Sequence, residues 1–190
     1  MNSSRDKMGQ KKSSVKEDYA IVLDTVDHKT SFKDKKIVQA VGYNTYLLFE
    51  LVPKLDVDLV SGDKVYIGDG KREKIQYIKR ILSPDDLSSS ALSELIYVLI
   101  DIINDREKEF VNLFNSAGPI SLRRHSLEII PGVGKKHLKT LLDMREQEIF
   151  KSFEDIKQKC SFLPNPQKAI AERILDELNG KTDQKFFVKR

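Results

Sequence analysis

From Glu17 to Leu82 apolar and polar residues alternate in short runs, the period-two pattern of strands with one face turned inward. The runs Tyr19–Leu23, Ile37–Val41, Tyr46–Val52, Lys64–Ile67 and Lys74–Leu82 are rich in Val, Ile, Tyr and Phe and predict five strands. Gly42-Tyr43-Asn44, Pro53 and Ser61-Gly62-Asp63 punctuate them. Asp69-Gly70 predicts a tight hairpin, because both residues tolerate positive φ. Five short strands in so short a stretch predict a small closed barrel, with the five-stranded OB type as the nearest shape.

At Leu82 the period changes to that of a helix. Ser83-Pro84-Asp85-Asp86 places Ser at an N-cap, Pro at the first helical position and acids in the first turn. Leu92, Leu95, Ile96, Leu99, Ile100 and Ile103 then trace one helical face. A second helix over Arg106 to Asn115 is expected to bury Phe110, Leu113 and Phe114, and Gly118-Pro119 ends it. From Ser83 to Asn115 there are two bases against seven acids, so this segment repels phosphate and is expected to pack the two halves of the chain together.

The stretch from Leu127 to Leu142 carries the most chemistry. Pro131 and Gly132 stop one helix, since Pro cannot continue it and Gly accepts the left-handed turn. Gly134 opens another, with Leu138, Leu141 and Leu142 on its apolar face, and Val133 points inward to pin the loop. Amides at a helix start have no intrahelical acceptor, and with the positive helix end they make an anion site. Shifting by 33 residues lays Leu127 on Cys160, Ile130 on Leu163, Pro131 on Pro164, Leu138 on Ala171, Leu141 on Ile174 and Leu142 on Leu175. This second copy replaces Gly132-Val133-Gly134 with Asn165-Pro166-Gln167 and is expected to be mainly structural, with Phe153 and Ile156 in the connecting core and Cys160 as a small core residue.

Leu127, Ile130, Pro131, Gly132, Val133 and Gly134 resemble the helix-hairpin-helix family, which holds a phosphate in its Gly-apolar-Gly loop. The resemblance implies phosphate binding at Gly132, Val133 and Gly134, with Lys135 and Lys136 beside them. Leu138 departs from it, where the family usually has Ala. From Glu17 onward the chain also resembles an archaeal family of unknown function that joins an OB-like barrel to a tandem helix-hairpin-helix. The likeness lies in "EDYAIVLD", "DKVYIGDG", "NSAGPI", "LEIIPGVGKKH" and "SFEDI". It implies nucleic-acid binding, with RNA favoured over DNA.

Charge narrows the picture. The net charge is +4, but residues 1–16 hold five bases and one acid, which leaves 28 of each sign in the rest of the chain. Binding to a polyanion must therefore come from local patches. Residues 123–139 form one: Arg123, Arg124, Lys135, Lys136 and Lys139 against Glu128. A second cluster, Lys71, Arg72, Lys74, Lys79 and Arg80 against Glu73, is either a continuation of that track or an ordinary solvated face. Tyr43, Tyr46, Tyr66 and Tyr77 are candidates for stacking bases, although packing is their commoner role.

Several classes are excluded by what is missing. His28, His125 and His137 have no Cys or acidic partners at metal-ligand spacing, so no metal is expected. There is no phosphate-binding loop ending in Gly-Lys-Ser/Thr and no dinucleotide fingerprint, so no cofactor or small-molecule substrate is inferred. Asp143 and Asp155 sit in helical or capping contexts, which leaves no catalytic set. No run of residues is apolar enough for a membrane span, and the polar N-terminus is not expected to be a secretory signal. The lone Cys160 fits a reducing compartment, so a soluble, cytoplasmic protein is expected.

The expected architecture is α+β. Residues 1–15 form a disordered basic tail, 16–82 a small OB-like β-barrel, 83–118 bridging helices, 119–180 an all-α tandem helix-hairpin-helix, and 181–190 a basic C-terminal tail. The expected function is non-catalytic binding of RNA or DNA, largely independent of base sequence. The alternative is a protein-interaction adaptor among ribosomal or transcription-associated proteins, with the hairpin as scaffold.

Overall fold

A computed structural model describes residues 16–30 and 33–189, without the side chains of residues 27–35; the tail expected over 1–15 lies outside these. Its chain is α+β, a curled five-stranded antiparallel sheet followed by five helices. The strands are β1 (Tyr19–Thr30), β2 (Lys33–Gly42), β3 (Leu48–Pro53), β4 (Lys64–Tyr66) and β5 (Ile75–Leu82). They lie in the order β4-β1-β2-β3-β5, every neighbouring pair antiparallel.

Alternation along the strands sorts side chains onto two faces. Ala20, Val22, Val38, Ala40, Phe49 and Leu51 meet Val65, Ile67 and Ile75 in one core. Leu23, Val41, Leu48 and Leu82 turn the other way and join the helices. β1 and β2 run well past their apolar residues, pairing as far as Thr30 opposite Lys33. Polar sequence pairs there through its backbone, which periodicity cannot see. The hairpin expected at Asp69-Gly70 is not formed: β4 and β5 occupy opposite edges of the sheet, and no pairing joins them among the described residues. Tyr46, expected inside a strand, has φ of 57° in the preceding turn.

The helix expected from Ser83 starts later. Pro84–Asp86 makes only a 3-10 turn, in which the Ser83 amide and hydroxyl both donate to the Asp86 carboxylate (2.8 and 2.7 Å). The chain then extends and restarts at Ser88, whose Oγ accepts the Ala91 amide (3.0 Å) and opens α1 (Ser89–Asp105). Gln39, nearly buried on β2, holds this break. Its amide nitrogen donates to the Asp86 carbonyl (3.0 Å) and its oxygen accepts the Ser88 amide (2.8 Å). The buried face of α1 is Ala91, Leu95, Val98, Leu99, Ile102 and Ile103, and Leu92 is 53% exposed. Apolar residues nearly encircle this helix, so its pattern leaves the inward face ambiguous by about one position.

The helix α2 (Glu107–Ser116) follows, then a small ribbon of β6 (Pro119–Ser121) and β7 (Arg124–His125), and a 3-10 turn over Ser126–Ile129. The rest of the chain is α3 (Lys135–Gln147), α4 (Phe153–Lys159) and α5 (Pro166–Leu178). One apolar core runs from the outer face of the sheet through α1 and α2 to α5. Polar side chains lock the joints. Asn115 exchanges two 2.8 Å bonds with the Phe150 backbone, and Glu107 accepts the Phe153 amide at 2.8 Å. The basic tail expected over 181–190 is, through residue 189, bound to the body: Val188 is buried, and the Lys189 amide donates to the Thr45 carbonyl (3.1 Å).

Candidate nucleic-acid interface

The loop between Leu127 and α3 is built by two turns. The Ile130 amide donates to the Leu127 carbonyl (3.1 Å) and the Val133 amide to the Ile130 carbonyl (3.0 Å). Pro131 ends the run, and Gly132 takes φ of +89°, the left-handed turn its type allows. Leu127, Ile130 and Val133 are all buried, so three side chains hold the loop from beneath. Only the element before the loop differs from expectation, being the 3-10 turn Ser126–Ile129 in place of an α-helix. Four residues separate the ribbon from Ile130, too few for a stable α-helical segment.

Gly134 is the N-cap of α3. Its φ is −80°, and no side chain caps the helix. A Cβ on Gly134 would meet nothing within 4 Å. Neither backbone conformation nor packing asks for glycine there, and the first amides of α3 are left without a side-chain acceptor. Lys135, Lys136 and Lys139 stand exposed around this helix start, with Arg123 and Arg124 exposed on the ribbon. None of the five has an ion-pair partner among the described residues.

The copy 33 residues later repeats the framework and closes the opening. The Leu163 amide donates to the Cys160 carbonyl (2.8 Å), matching the Ile130–Leu127 bond, and Cys160, Leu163, Ala171 and Ile174 are buried. The Asn165 side chain accepts the Lys168 amide (2.9 Å), and Pro166 at the helix start has no N–H to offer. Thus α3 presents free donors where α5 satisfies its own. His137 ties the two loops together. Its Nδ1 donates to the Gly132 carbonyl (2.8 Å) and its ring stacks on Phe162, with centroids 4.3 Å apart. No pattern in the sequence signals this cross-repeat stack.

His125 is likewise engaged. Its Nδ1 accepts the Leu127 amide (3.1 Å), and its backbone amide donates to Glu128 (2.6 Å). Burial, reinforced by the charge of Arg145, holds its imidazole below the usual histidine range. Cys160 is buried with its Sγ 3.7 Å from the Met144 sulfur, and burial pushes the thiol up to about 11, which leaves it without nucleophilic character.

The second basic cluster is largely engaged elsewhere. Lys79 and Arg80 on β5 both bind Glu50, which is buried on β3, and Arg80 also reaches Asp86 (3.0 Å). Burial alone would raise the Glu50 carboxyl, but the hydrogen bonds from Lys79 and Arg80 outweigh it and hold the group below the ordinary range. Arg72 donates to the Gly68 carbonyl (2.9 Å), and Lys71 and Lys74 are exposed. Among the tyrosines, Tyr46 is buried and accepts from Arg106 (2.8 Å), and Tyr43 donates to Asp105 (2.7 Å) under the Lys64 ammonium. Tyr66 accepts the Gly70 amide (3.0 Å) and packs its ring edge-on against Tyr19, so of the four candidates Tyr77, 43% exposed, keeps the clearest ring face. Among the described residues no cluster of His, Cys, Asp or Glu fits a metal, and no helix is long and apolar enough to cross a membrane.

Residues 16–189 match the model of a protein family of unknown function, DUF655. The chain is 38% identical over 173 residues to the uncharacterized protein MJ0038 of Methanocaldococcus jannaschii, covering 90% of this chain and 79% of that protein. The crystal structure of Af1531 from Archaeoglobus fulgidus, 37% identical, superposes with a TM-score of 0.83 over 90% of this chain and 99% of that one. Matched along nearly its whole described length, sheet and helices alike, the chain belongs to the DUF655 family.

Proposed function

We propose that this protein binds nucleic acid without catalysis and largely without reading its sequence. In this reading residues 119–180 are a tandem helix-hairpin-helix whose first loop seats a backbone phosphate on the amides following Gly134. Lys135 and Lys136 neutralise the charge, and Arg123, Arg124 and Lys139 extend the field. One observation carries it: α3 begins with a glycine that the fold does not require and with uncapped amides among unpaired bases, while the start of α5 is capped by the Asn165 side chain. The curled sheet enters as support, since Lys79 and Arg80 are already paired with Glu50; an OB-like closure is not required. RNA is favoured over DNA on the family resemblance alone.

The test is fluorescence anisotropy of labelled RNA and DNA of several sequences, across a salt series. For a few phosphate contacts the log–log slope should be roughly −2 to −5, with little dependence on base sequence. Gly134→Glu should abolish binding with the melting curve retained, and Lys135→Ala with Lys136→Ala should weaken it and flatten the slope. A folded Gly134→Glu protein that binds like the parent would show that the loop is scaffold, as expected of a protein-interaction adaptor.

A further inference from the structure

The ribbon of β6 and β7 has no part in either core. Every residue from Pro119 to Arg124 is exposed, and Leu122 at the tip holds its whole side chain in water. A scattered exposed leucine needs no explanation. Here, however, the leucine crowns a paired ribbon that adds no residue to either core, next to Ile120 and to two arginines without an acidic partner among the described residues. The fold gains nothing from presenting it.

The root of the ribbon is held firmly. The Ser126 amide and hydroxyl donate to the Gly118 carbonyl (3.0 and 2.6 Å), closing the loop at its base. Arg145, in the third turn of α3, donates to the Phe114 and Ala117 carbonyls just before it (3.1 and 2.8 Å). The same helix begins at Lys135, beside the phosphate loop. At 1.5 Å per residue, Lys135 and Arg145 are roughly 15 Å apart along the axis, about four base pairs of a double helix. The loop and the ribbon root are therefore two fixed stations on one rod.

We propose, resting on the phosphate-seat reading above, that the ribbon is a second arm of the interface and that the ligand is double-helical nucleic acid. Leu122 enters a base step from the minor groove and partly unstacks it, while Arg123 and Arg124 take the flanking phosphates. Chemistry selects the duplex. Proteins that hold single strands stack free bases on aromatic rings, and the ribbon carries none. Aliphatic wedges act instead between stacked pairs, where exclusion of water from the step rewards an apolar tip.

The experiment uses the full chain with short DNA and RNA duplexes, and their single strands, containing 2-aminopurine, whose fluorescence rises when it unstacks. The parent should bind duplex more tightly than single strand and raise the signal on at least one of the two duplex types. Leu122→Ala, at a fully exposed position that cannot disturb folding, should lose the signal and roughly ten-fold in affinity. Leu122→Lys should also bind less tightly than the parent, although it adds charge. Arg123→Ala with Arg124→Ala should reduce the salt slope by about 2. The proposal is overturned by parental affinity and signal in both Leu122 variants, by a silent parent complex, or by preference for single strands. If those results accompany loss of binding in Gly134→Glu, the phosphate seat stands and only the wedge falls. If Gly134→Glu binds like the parent, the seat falls and the two-armed grip with it.

Discussion

Gly132 and Gly134 stand two residues apart and are glycines for different reasons. Gly132 has φ of +89°, so any side chain there is strained, although its Cβ would find only ordinary contacts 3.6 and 3.7 Å away. Gly132→Ala should therefore lower stability by about 1 kcal/mol, read from urea denaturation. Gly134 has an ordinary φ and open space around it. Gly134→Ser would supply the missing cap and should hold or slightly raise stability, by at most about a few tenths of a kcal/mol, read from the melting curve. It should weaken nucleic-acid binding all the same, because the new hydroxyl takes an amide that the phosphate needs. A serine variant with stability and affinity both unchanged would count against the role assigned to these amides. His125 supplies a test in pH. Its folded-state pKa is depressed, so the unfolded chain binds the proton more readily. Its contribution to stability is complete above the unfolded value of about 6.5 and is lost as pH falls through the lower folded value. His125→Asn, which keeps an acceptor for the Leu127 amide but does not titrate, should show a flatter decline in melting temperature between neutral and mildly acid pH.

At the scale of elements, α3 and α5 are one design used twice, distinguished by their first residues. Asn165→Ala should destabilise the protein by about 1 kcal/mol through loss of the cap on Lys168, with nucleic-acid affinity unchanged. Loss of affinity in that variant would mean that the second loop is part of the contact. The repeat was legible in the sequence because Leu127, Ile130 and Leu141 and their counterparts Cys160, Leu163 and Ile174 are inward positions under strong local constraint. The five strands were legible for the same reason, through residues such as Val22, Val38 and Leu51. What escaped was set by partners distant in the chain. The break between Asp86 and Ser88 depends on Gln39, and the loop bracing depends on His137 meeting Phe162. The β6–β7 ribbon has no hydrophobic periodicity to read, since none of its residues enters a core. The placement of β4 and β5 at opposite edges is a property of topology, to which a turn dipeptide such as Asp69-Gly70 is only a local guide.

For the molecule as a whole the decisive feature is how its last residues are held. Glu177 is completely buried on α5. It accepts from the Arg173 Nε (2.9 Å) and from the amides of Phe187 and Val188 (2.9 and 3.0 Å), while Arg173 donates to the Gln184 carbonyl (2.8 Å). The Lys189 amide then reaches Thr45, in the turn before β3, so this segment stitches the last helix to the sheet. A buried carboxylate needs all of these partners, because the attraction of one cation does not repay its desolvation. Truncation after Gly180 removes two charge-assisted bonds and uncovers the site of Val188. It should lower stability by about 3 kcal/mol or more, whereas loss of a free basic tail would leave it unchanged. Glu177→Ala should cost about 3 to 5 kcal/mol by stranding Arg173, and the pair Arg173→Met with Glu177→Leu should cost less than that single change. Urea denaturation followed by circular dichroism distinguishes the cases, and one transition is expected because the apolar core is continuous from sheet to α5. A truncated protein with the parent's midpoint would show that the strap is ornamental to the fold, and that Glu177 finds its balance with Arg173 alone.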